Sequence, residues 1–467
     1  MIRIISFGHA TTLVEAGGTR TLVDPWLTDR LDRFWERAPG LPDGMLEVLD
    51  GGVDRIVLTH HHCDHLHYPS LRLLAERLDP ERVEVLYPDG TDFRYTGSGM
   101  GHLPIPWALR RLGFTRLRPL HKHETVELGG AGTPGGAAQL RTFPSRVRFP
   151  ELSLYVSTAN ESAMLCADAM LHAETWEFFT ANGARAPQVA LVPAHSVVPP
   201  NVLTERWLKG RYEDSQALAV AAFDRYVSTM NATVTVPFAC AWRVGALDGD
   251  FEWTNRTMYP FTPAQALDRL RLLGRRGGFL GPGAVVEVDG TEVEFGTAEG
   301  VKPDYDLPAV YERITLDPAT PIPAFDPQTE RTGVQREPAR RLAQRAMDAL
   351  VGTDLWGRAV QNGDRYALRV FDDAAGACDF VLDPASGLIR SGTTPALDSG
   401  GREPGNYSTI TGATMQALFD STLLYGSAWG LWTGNNPLLS AVFHQPALFQ
   451  RHLDGALAEP NRGHITN

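Results

Sequence analysis

Nine consecutive residues, 59–67, carry an unusual density of side chains that bind metals. They read Thr-His-His-His-Cys-Asp-His-Leu-His and hold five imidazoles, one carboxylate and one thiol. Neutral imidazoles and carboxylates bind a transition metal when they converge within about 2.0–2.2 Å of it. In an extended loop, His60 and His62 share one side. Asp64 and His65 can turn toward a second ion. The spacing therefore predicts a site for two metal ions.

An apolar strand leads into these residues and a helix follows them. Residues 55–58, Arg-Ile-Val-Leu, form a short β-branched run, and Pro69 stands where the first turn of a helix tolerates a missing N–H. Leu71, Leu74 and Leu78 then recur at helical spacing. This order puts the histidines at the carboxyl end of a strand, where α/β folds usually place their chemistry.

Most of the remaining chain alternates short strands with a few helices. Two-residue turns that contain glycine predict two hairpins. These hairpins join residues 11–16 to 19–24 and residues 284–288 to 291–295. Further strands are predicted at 83–87, 139–143, 152–157, 163–168 and 188–193, and helices at 214–226 and 262–273.

Six prolines between residues 303 and 327 predict a linker. We therefore expect three parts: a metal domain at 1–250, an extension with a helix and a hairpin at 251–330, and a small α+β domain at 331–467. The last part is predicted to contain helices at 337–351, 408–422 and 446–457 and strands at 366–371, 378–382 and 387–390. It contains no cluster of ionisable residues that predicts chemistry.

The composition limits the classes of protein to consider. The 467 residues are 43% hydrophobic and 21% charged, values typical of a globular protein with several domains. The net charge of −12 disfavours a nucleic acid as partner. The four cysteines lie far apart with no CxxC pair, which favours reduced thiols and a cytoplasmic location. We expect neither an export signal nor a membrane span.

The histidine-rich stretch also resembles the motif of a known superfamily. The pattern His-x-His-x-Asp-His at residues 60–65, after the strand at 55–58, is similar to the metal-binding motif of the metallo-β-lactamase fold superfamily. Residues 8–11 and 23–25 resemble its ascorbate-6-phosphate lactonase-like and N-acylphosphatidylethanolamine phospholipase D-like branch. The resemblance covers about residues 1–245 and implies a mixed α/β (α+β) fold, an αββα sandwich. It implies two metal ions, usually zinc, and a metal-bound hydroxide that attacks an ester, lactone, amide or phosphodiester.

The same resemblance assigns ligands residue by residue. It implies two ligands for each metal from within the cluster: His60 and His62 for the first, Asp64 and His65 for the second. Asp168 follows a predicted strand and matches the metal-bridging aspartate of the superfamily. Asp24 matches a carboxylate that orients a liganding loop.

Two histidines of the superfamily have no counterpart at the expected places. The third ligand of the first metal should lie near residues 143–148 and the last histidine near 236–240, but neither segment contains one. His195, after an apolar strand, is our candidate for a ligand or an acid/base residue that acts with Asp64. Glu151 can supply a carboxylate where the superfamily has an imidazole. Four more potential ligands are expected around the site or on the surface: Cys63, His67, His121 and His123.

The sequence leaves three functions open. The first is a zinc-dependent hydrolase of a small anionic substrate, which Arg146 and Arg148 would grip. The second is a non-haem diiron oxygenase, because a carboxylate in place of an imidazole shifts a site toward iron or manganese. The chain resembles oxygenases of this fold in which a glutamate stands in for a histidine. The third is a metal-binding scaffold without catalysis. In each case the loops at 27–52 and 89–107 are expected to shape the pocket.

Overall fold

The computed structural model describes residues 1–31, 35–89, 105–129, 137–147, 150–180, 185–194, 212–240, 242–245, 252–317, 319–321, 334–351, 354–391, 407–420 and 442–443. These residues form two compact units. The first unit takes the described residues up to 320 and the second those from 321 onward.

The first unit is built mainly from two β-sheets. Its strands are β1 (Ile2–Gly8), β2 (Thr11–Ala16), β3 (Thr19–Val23), β4 (Trp35–Arg37), β5 (Arg55–Val57), β6 (Glu84–Pro88), β7 (Arg116–Leu120), β8 (Thr125–Leu128), β9 (Ala138–Pro144), β10 (Leu152–Ser157), β11 (Ser162–Leu165), β12 (Val189–Pro193), β13 (Val234–Phe238), β14 (Trp242–Val244), β15 (Ala284–Asp289) and β16 (Glu292–Thr297). Its helices are α1 (Tyr68–Arg77), α2 (Ile105–Arg111), α3 (Ala173–Thr180), α4 (Tyr212–Met230), α5 (Glu252–Asn255), α6 (Pro263–Leu272) and α7 (Leu307–Ile314), with a 3₁₀ turn at Glu47–Gly51.

The strands follow a fixed order in each sheet. The larger sheet has eight strands in the order β16-β15-β1-β2-β3-β5-β6-β7, and the second has six in the order β13-β12-β11-β10-β9-β8. Neighbours from β3 to β7 are parallel, as are β11, β12 and β13, and the other pairs in these sheets are antiparallel. β4 and β14 form a separate two-stranded ribbon. A mixed sheet of this kind leaves the carboxyl ends of several strands at one edge.

The two sheets pack face to face around one apolar core. Buried residues such as Val14 and Val57 of the first sheet share this core with Leu154 and Leu191 of the second. On the other side of the second sheet, buried residues of α4 and α6, such as Phe223, pack in a further apolar cluster. Because side chains alternate along a strand, a sheet buried on both faces needs apolar residues at nearly every position. The predicted mixed α/β fold with two layered sheets is confirmed.

The second unit contains a smaller sheet flanked in sequence by helices. It comprises α8 (Ala339–Leu350), α9 (Asp354–Asn362), β17 (Tyr366–Asp372), β18 (Gly376–Asp383), β19 (Leu388–Ser391), β20 (Tyr407–Thr411) and α10 (Gly412–Phe419). The strand order is β19-β18-β17-β20, with β17 and β20 parallel. The apolar face of α8 is buried, including Leu342 and Met347.

The structure differs from the sequence expectations at three places. The hairpin β15–β16, which we expected in an extension at 251–330, adds to the large sheet because β15 pairs with β1. The proline-rich stretch contains α7, where Asp306 caps the helix and Pro308 lies in its first turn. Residues 408–411, the first part of the helix predicted at 408–422, instead lie in β20, since Thr409, Ile410 and Thr411 are β-branched. The helix predicted at 446–457 lies outside the described residues.

None of the helices in the described ranges combines the length and the apolar composition that a membrane crossing requires.

Candidate metal centre

Asp24 fixes the start of the histidine-rich loop and orients His65. Its Oδ1 accepts a hydrogen bond from the backbone N–H of Thr59 at 2.7 Å, and its Oδ2 accepts one from the Thr59 hydroxyl at 2.6 Å. Asp24 Oδ2 also lies 2.8 Å from His65 Nδ1. A ring held at Nδ1 by a carboxylate presents Nε2 on its opposite side, an arrangement typical of metal-binding histidines. All three residues are fully buried.

His60, His62 and Asp168 form the first cluster of donor atoms. Each offers one ligand atom, and these atoms lie within 4.8 Å of one another. His60 Nε2 and His62 Nδ1 are 2.8 Å apart, and His60 Nδ1 lies 3.0 Å from the hydroxyl of Thr59. The Thr59 contact fixes the His60 ring so that its Nε2 converges with the His62 nitrogen. Two ring nitrogens and a carboxylate in this arrangement can share one cation.

Glu151 lies beside the first cluster, immediately before β10. Its Oε1 is 3.8 Å from His60 Nε2, and the side chain is only 2% exposed. Its Oε2 has no hydrogen-bonding partner among the residues that the structure describes. Burial raises the pKa of Glu151 to about 8, although a hydrogen bond with Ser145 acts to lower it. A buried carboxylate oxygen without a partner is costly. A cation bound between Glu151 and His60 would give this oxygen a partner and remove that cost. The ligand atoms around His60 are therefore suited to a metal ion.

His9, Asp64 and His65 form a second cluster, again with ligand atoms within 4.8 Å of one another. His9 follows β1, whereas Asp64 and His65 belong to the loop after β5. His9 Nε2 lies 3.1 Å from Asp64 Oδ2, and the His9 ring packs edge-on against His65 at 5.2 Å between centroids. All three side chains are buried. The second cluster therefore joins two separate turns of the large sheet.

His65 and Asp168 connect the two clusters. His65 Nε2 lies 3.2 Å from Asp168 Oδ2 and 3.7 Å from Asp64 Oδ2. Asp168 comes from the turn after β11 of the second sheet, so the contact joins the edges of both sheets. The Asp168 carboxylate therefore lies within reach of donor atoms from both clusters.

The electrostatics of the site favour neutral imidazoles at His60 and His62 and ionised carboxylates at Asp64 and Asp168. Burial, followed by the neighbouring His65, lowers the pKa of His60 well below its ordinary value, and burial also lowers the pKa of His62. Burial opposes ionisation of Asp64 and Asp168, but the combined interactions with His65, His9 and, for Asp64, His62 outweigh it and lower the pKa of both carboxyls. Neutral imidazole and ionised carboxylate are the forms that bind metals.

His65 itself is surrounded by carboxylates. Burial opposes its protonation, but the charges of Asp168, Asp64 and Asp24 raise the pKa of His65 well above its ordinary value. A positive charge is therefore stabilised at this point between the clusters. A metal ion that binds here must displace the proton from His65, so binding is expected to release protons.

Several residues around the site take left-handed backbone conformations. Positive φ angles occur at His9 (51°), Asp24 (45°), Ala167 (48°) and Ala239 (52°). These residues follow β1, β3, β11 and β13, respectively. Non-glycine residues in this region are strained, and such strain persists where the surrounding structure enforces it. Sharp turns at these strand ends aim His9, Asp24 and the neighbouring Asp168 into the site.

The other sequence candidates have different positions. His67 is buried, with Nδ1 at 2.7 Å from the Ser70 hydroxyl and Nε2 at 3.2 Å from the carbonyl of Leu31. Because both ring nitrogens bind protein groups, His67 supports the loop. Two further histidines pair with carboxylates away from the clusters: the exposed His121 with Asp89, and the partly exposed His123 with Glu174. Cys63 is partly exposed. His195 and Arg148 lie outside the described residues, and Arg146 is exposed.

Sequence reasoning gave His9 no role in the site. The sequence does contain a pattern that points to His9, because Gly8-His9 directly follows an apolar run that ends at the same sheet edge as residues 59–67. The approach of His9 to Asp64 depends on the pairing of β1 through β5, which joins residues 55 positions apart.

Comparisons with known proteins agree with the resemblance of the histidine motif. Residues 3–143 match the family model of the beta-lactamase superfamily domain. Over 126 residues the chain is 30% identical to a 4-amino-L-phenylalanyl-(CmlP-peptidyl-carrier-protein) 3-hydroxylase from Streptomyces venezuelae, across 27% of this chain and 21% of that protein. Over 66 residues it is 46% identical to a UPF0173 metal-dependent hydrolase from Aeropyrum pernix, across 14% of this chain and 23% of that protein. The chain thus spans less than a quarter of the length of either relative.

A solved structure with a similar arrangement is that of CmlA, a diiron beta-hydroxylase from Streptomyces venezuelae. It aligns with a TM-score of 0.40 and 18% identity, across 63% of this chain and 54% of that chain.

Proposed function

Because residues 3–143 form a domain of the beta-lactamase superfamily, we propose that this protein is a hydrolase with two metal ions that acts on a small anionic molecule. The observation that carries the proposal is the contact between the two donor clusters, 3.2 Å between His65 and Asp168. It supports one centre for two ions. In this centre His60 and His62 would hold the first ion, Asp64 and His65 would hold the second, and Asp168 would lie within reach of both.

The surrounding residues would prepare this centre for hydrolysis. A bound metal ion supplies Lewis acidity and lowers the pKa of a coordinated water. Asp24 orients His65, and the lowered pKa values keep His60 and His62 in the unprotonated form that can bind an ion. His195, as predicted from its place after β12, would act as acid or base together with Asp64.

Arg146 supports the choice of an anionic substrate. Its backbone N–H donates to the carbonyl of Met170, two residues beyond Asp168, at 3.1 Å. The residue is exposed, and its backbone lies beside the turn that carries Asp168. Guanidinium groups bind carboxylates and phosphates with two parallel hydrogen bonds.

Metal analysis and a substrate screen test the proposal. Protein produced without added metal is analysed for its elements and assayed on anionic esters, lactones, amides and phosphodiesters. We expect two zinc ions per chain and hydrolysis of at least one class, lost in His60→Ala and retained in His123→Ala. His123 serves as the control because it pairs with Glu174 outside both clusters. Protein that takes up metal but hydrolyses none of these classes would contradict the proposal.

Glu151 favours a second function, a non-haem diiron oxygenase. A carboxylate beside His60 in place of an imidazole makes the site harder and favours iron or manganese over zinc. The 30%-identical relative is a hydroxylase, which is compatible with this reading. Iron as the native metal and substrate-dependent uptake of dioxygen would support the oxygenase over the hydrolase. Glu151→His is then expected to shift metal preference toward zinc and to abolish the oxygen uptake.

A further inference from the structure

We propose that His9 is a metal ligand and completes the second metal position in place of the histidine missing after β13. The inference rests on the proposed dinuclear centre. Its central observation is that His9, Asp64 and His65 bring three ligand atoms within 4.8 Å of one another, with His9 Nε2 at 3.1 Å from Asp64 Oδ2. Together with Asp168, these residues give the second ion four protein ligands, the usual number for a transition metal such as zinc.

The end of β13 offers no ligand of its own in the described residues. Ala239 and Cys240 follow β13, where the superfamily resemblance calls for a histidine. The Cys240 sulfur lies 3.8 Å from the Tyr311 hydroxyl, and burial raises the pKa of its thiol to about 12. A thiol must lose its proton to bind a metal. Neither cluster of potential metal ligands includes Cys240.

The turn after β1 holds His9 in position before any ligand binds. Gly8 and His9 both have positive φ angles, 80° and 51°. A Cβ at Gly8 would lie 2.8 Å from Pro282 Cγ, so only glycine fits at that position. These constraints force the chain through a sharp turn that points His9 toward the loop at 59–67.

Trp26 and Arg37 pack against this turn and stabilise it. The Trp26 ring packs edge-on against His9 with 5.4 Å between centroids, and the Arg37 guanidinium lies 4.8 Å from the Trp26 centroid. Arg37 Nη1 donates to the carbonyl of Phe7 at 2.5 Å, and its Nε donates to the carbonyl of Thr28 at 3.0 Å. These contacts tie the backbone just before the turn, at Phe7, to the backbone just after Trp26, at Thr28, and so limit the movement of the His9 ring. A preorganised ring loses little entropy when it binds an ion.

A ligand role and a hydrogen-bonding role for His9 predict different behaviour of two variants. His9→Ala removes both roles, whereas the amide of His9→Gln can still donate to Asp64 but replaces imidazole poorly as a ligand for zinc. Metal-free wild type, both variants and His123→Ala are titrated with Zn²⁺ by calorimetry, and the bound metal is counted by elemental analysis. Near-ultraviolet circular dichroism of each metal-free protein checks the fold.

We expect two zinc ions per chain in wild type and in His123→Ala. Both His9 variants should keep one ion and lose affinity for the second by more than about 100-fold, beyond the loss typical of residues that only orient a ligand. If His9→Ala does not fold, His9→Gln carries the test, because its side chain still fills the buried position. Two tightly bound ions in either His9 variant would overturn the ligand role. Fewer than two ions in wild type would instead contradict the dinuclear centre itself.

Discussion

Asp24 Oδ2 lies 2.8 Å from His65 Nδ1, and the same His65 ring presents Nε2 to Asp168 at 3.2 Å. The Asp24 carboxylate thus determines which ring nitrogen faces the donor clusters. We expect Asp24→Asn to weaken metal binding about 10–100-fold, because a neutral amide orients and polarises the ring less than a carboxylate. Calorimetric titration of the metal-free variant with Zn²⁺ measures the effect.

A surface carboxylate provides the control for this substitution. Glu76 pairs with Arg72 at 2.8 Å on the exposed face of α1, where ion pairs contribute little to stability. Glu76→Gln should bind zinc as wild type does. Equal affinity in Asp24→Asn and Glu76→Gln would show that the Asp24–His65 contact does not act on the metal.

Glu151 predicts a pH dependence of the stability of the metal-free protein. Burial raises its pKa from the ordinary 4.5 to about 8. Between these values the folded protein keeps a proton that the unfolded chain has released, so the free energy of unfolding falls as the pH rises. Glu151→Gln stays neutral and removes this dependence. Relative to that of the wild type, the free energy of unfolding of the variant should therefore rise by up to about 1.4 kcal/mol per pH unit between pH 4.5 and about 8.

Urea unfolding at about pH 5, 6.5 and 8 in the presence of a chelator measures this difference. His123→Ala, which leaves Glu151 intact, should retain the wild-type slope. A wild-type stability that rises from pH 5 to pH 8 in parallel with that of Glu151→Gln would mean that Glu151 ionises normally in the folded protein.

Local patterns predicted the elements that surround the site. The Gly17-Gly18 turn indicated the β2–β3 hairpin, and the predicted strand at 152–157 has the bounds of β10. The β-branched run before residues 59–67 correctly indicated a strand that leads into the loop, β5. Such features depend on turn chemistry and side-chain alternation within a few residues, which a sequence displays directly.

Features that depend on pairing between distant segments were not predictable in the same way. β15 joins β1 across about 280 residues, so no local pattern shows that its hairpin extends the large sheet. His9 approaches Asp64 only after β1, β2, β3 and β5 have paired, and no local pattern encodes that contact. Proline spacing indicated a linker where α7 forms, because Pro308 at the start of a helix is as favourable as proline in a loop.

The apolar core between the two sheets should be sensitive to loss of volume. Leu154 in β10 is 1% exposed and belongs to the cluster shared by both sheets. Leu154→Ala leaves a cavity and is expected to lower the free energy of unfolding by about 2–5 kcal/mol. Leu272 in α6 is 79% exposed, so Leu272→Ala should change the free energy of unfolding by less than about 0.5 kcal/mol. Urea unfolding of both variants makes the comparison, and similar losses in the two would contradict the described packing.

The four cysteines should divide into two classes of reactivity toward a thiol reagent. Cys166 and Cys240 are buried, and burial raises the pKa of both thiols, that of Cys240 to about 12. Cys63 and Cys378 are partly exposed. Since the thiolate is the reactive form and must be reached by the reagent, native protein should show two reactive thiols and denatured protein four. The variant with both Cys63→Ser and Cys378→Ser should react with the reagent only after denaturation. Rapid reaction of this variant in its native form would show that the strand ends that carry Cys166 and Cys240 open to solvent.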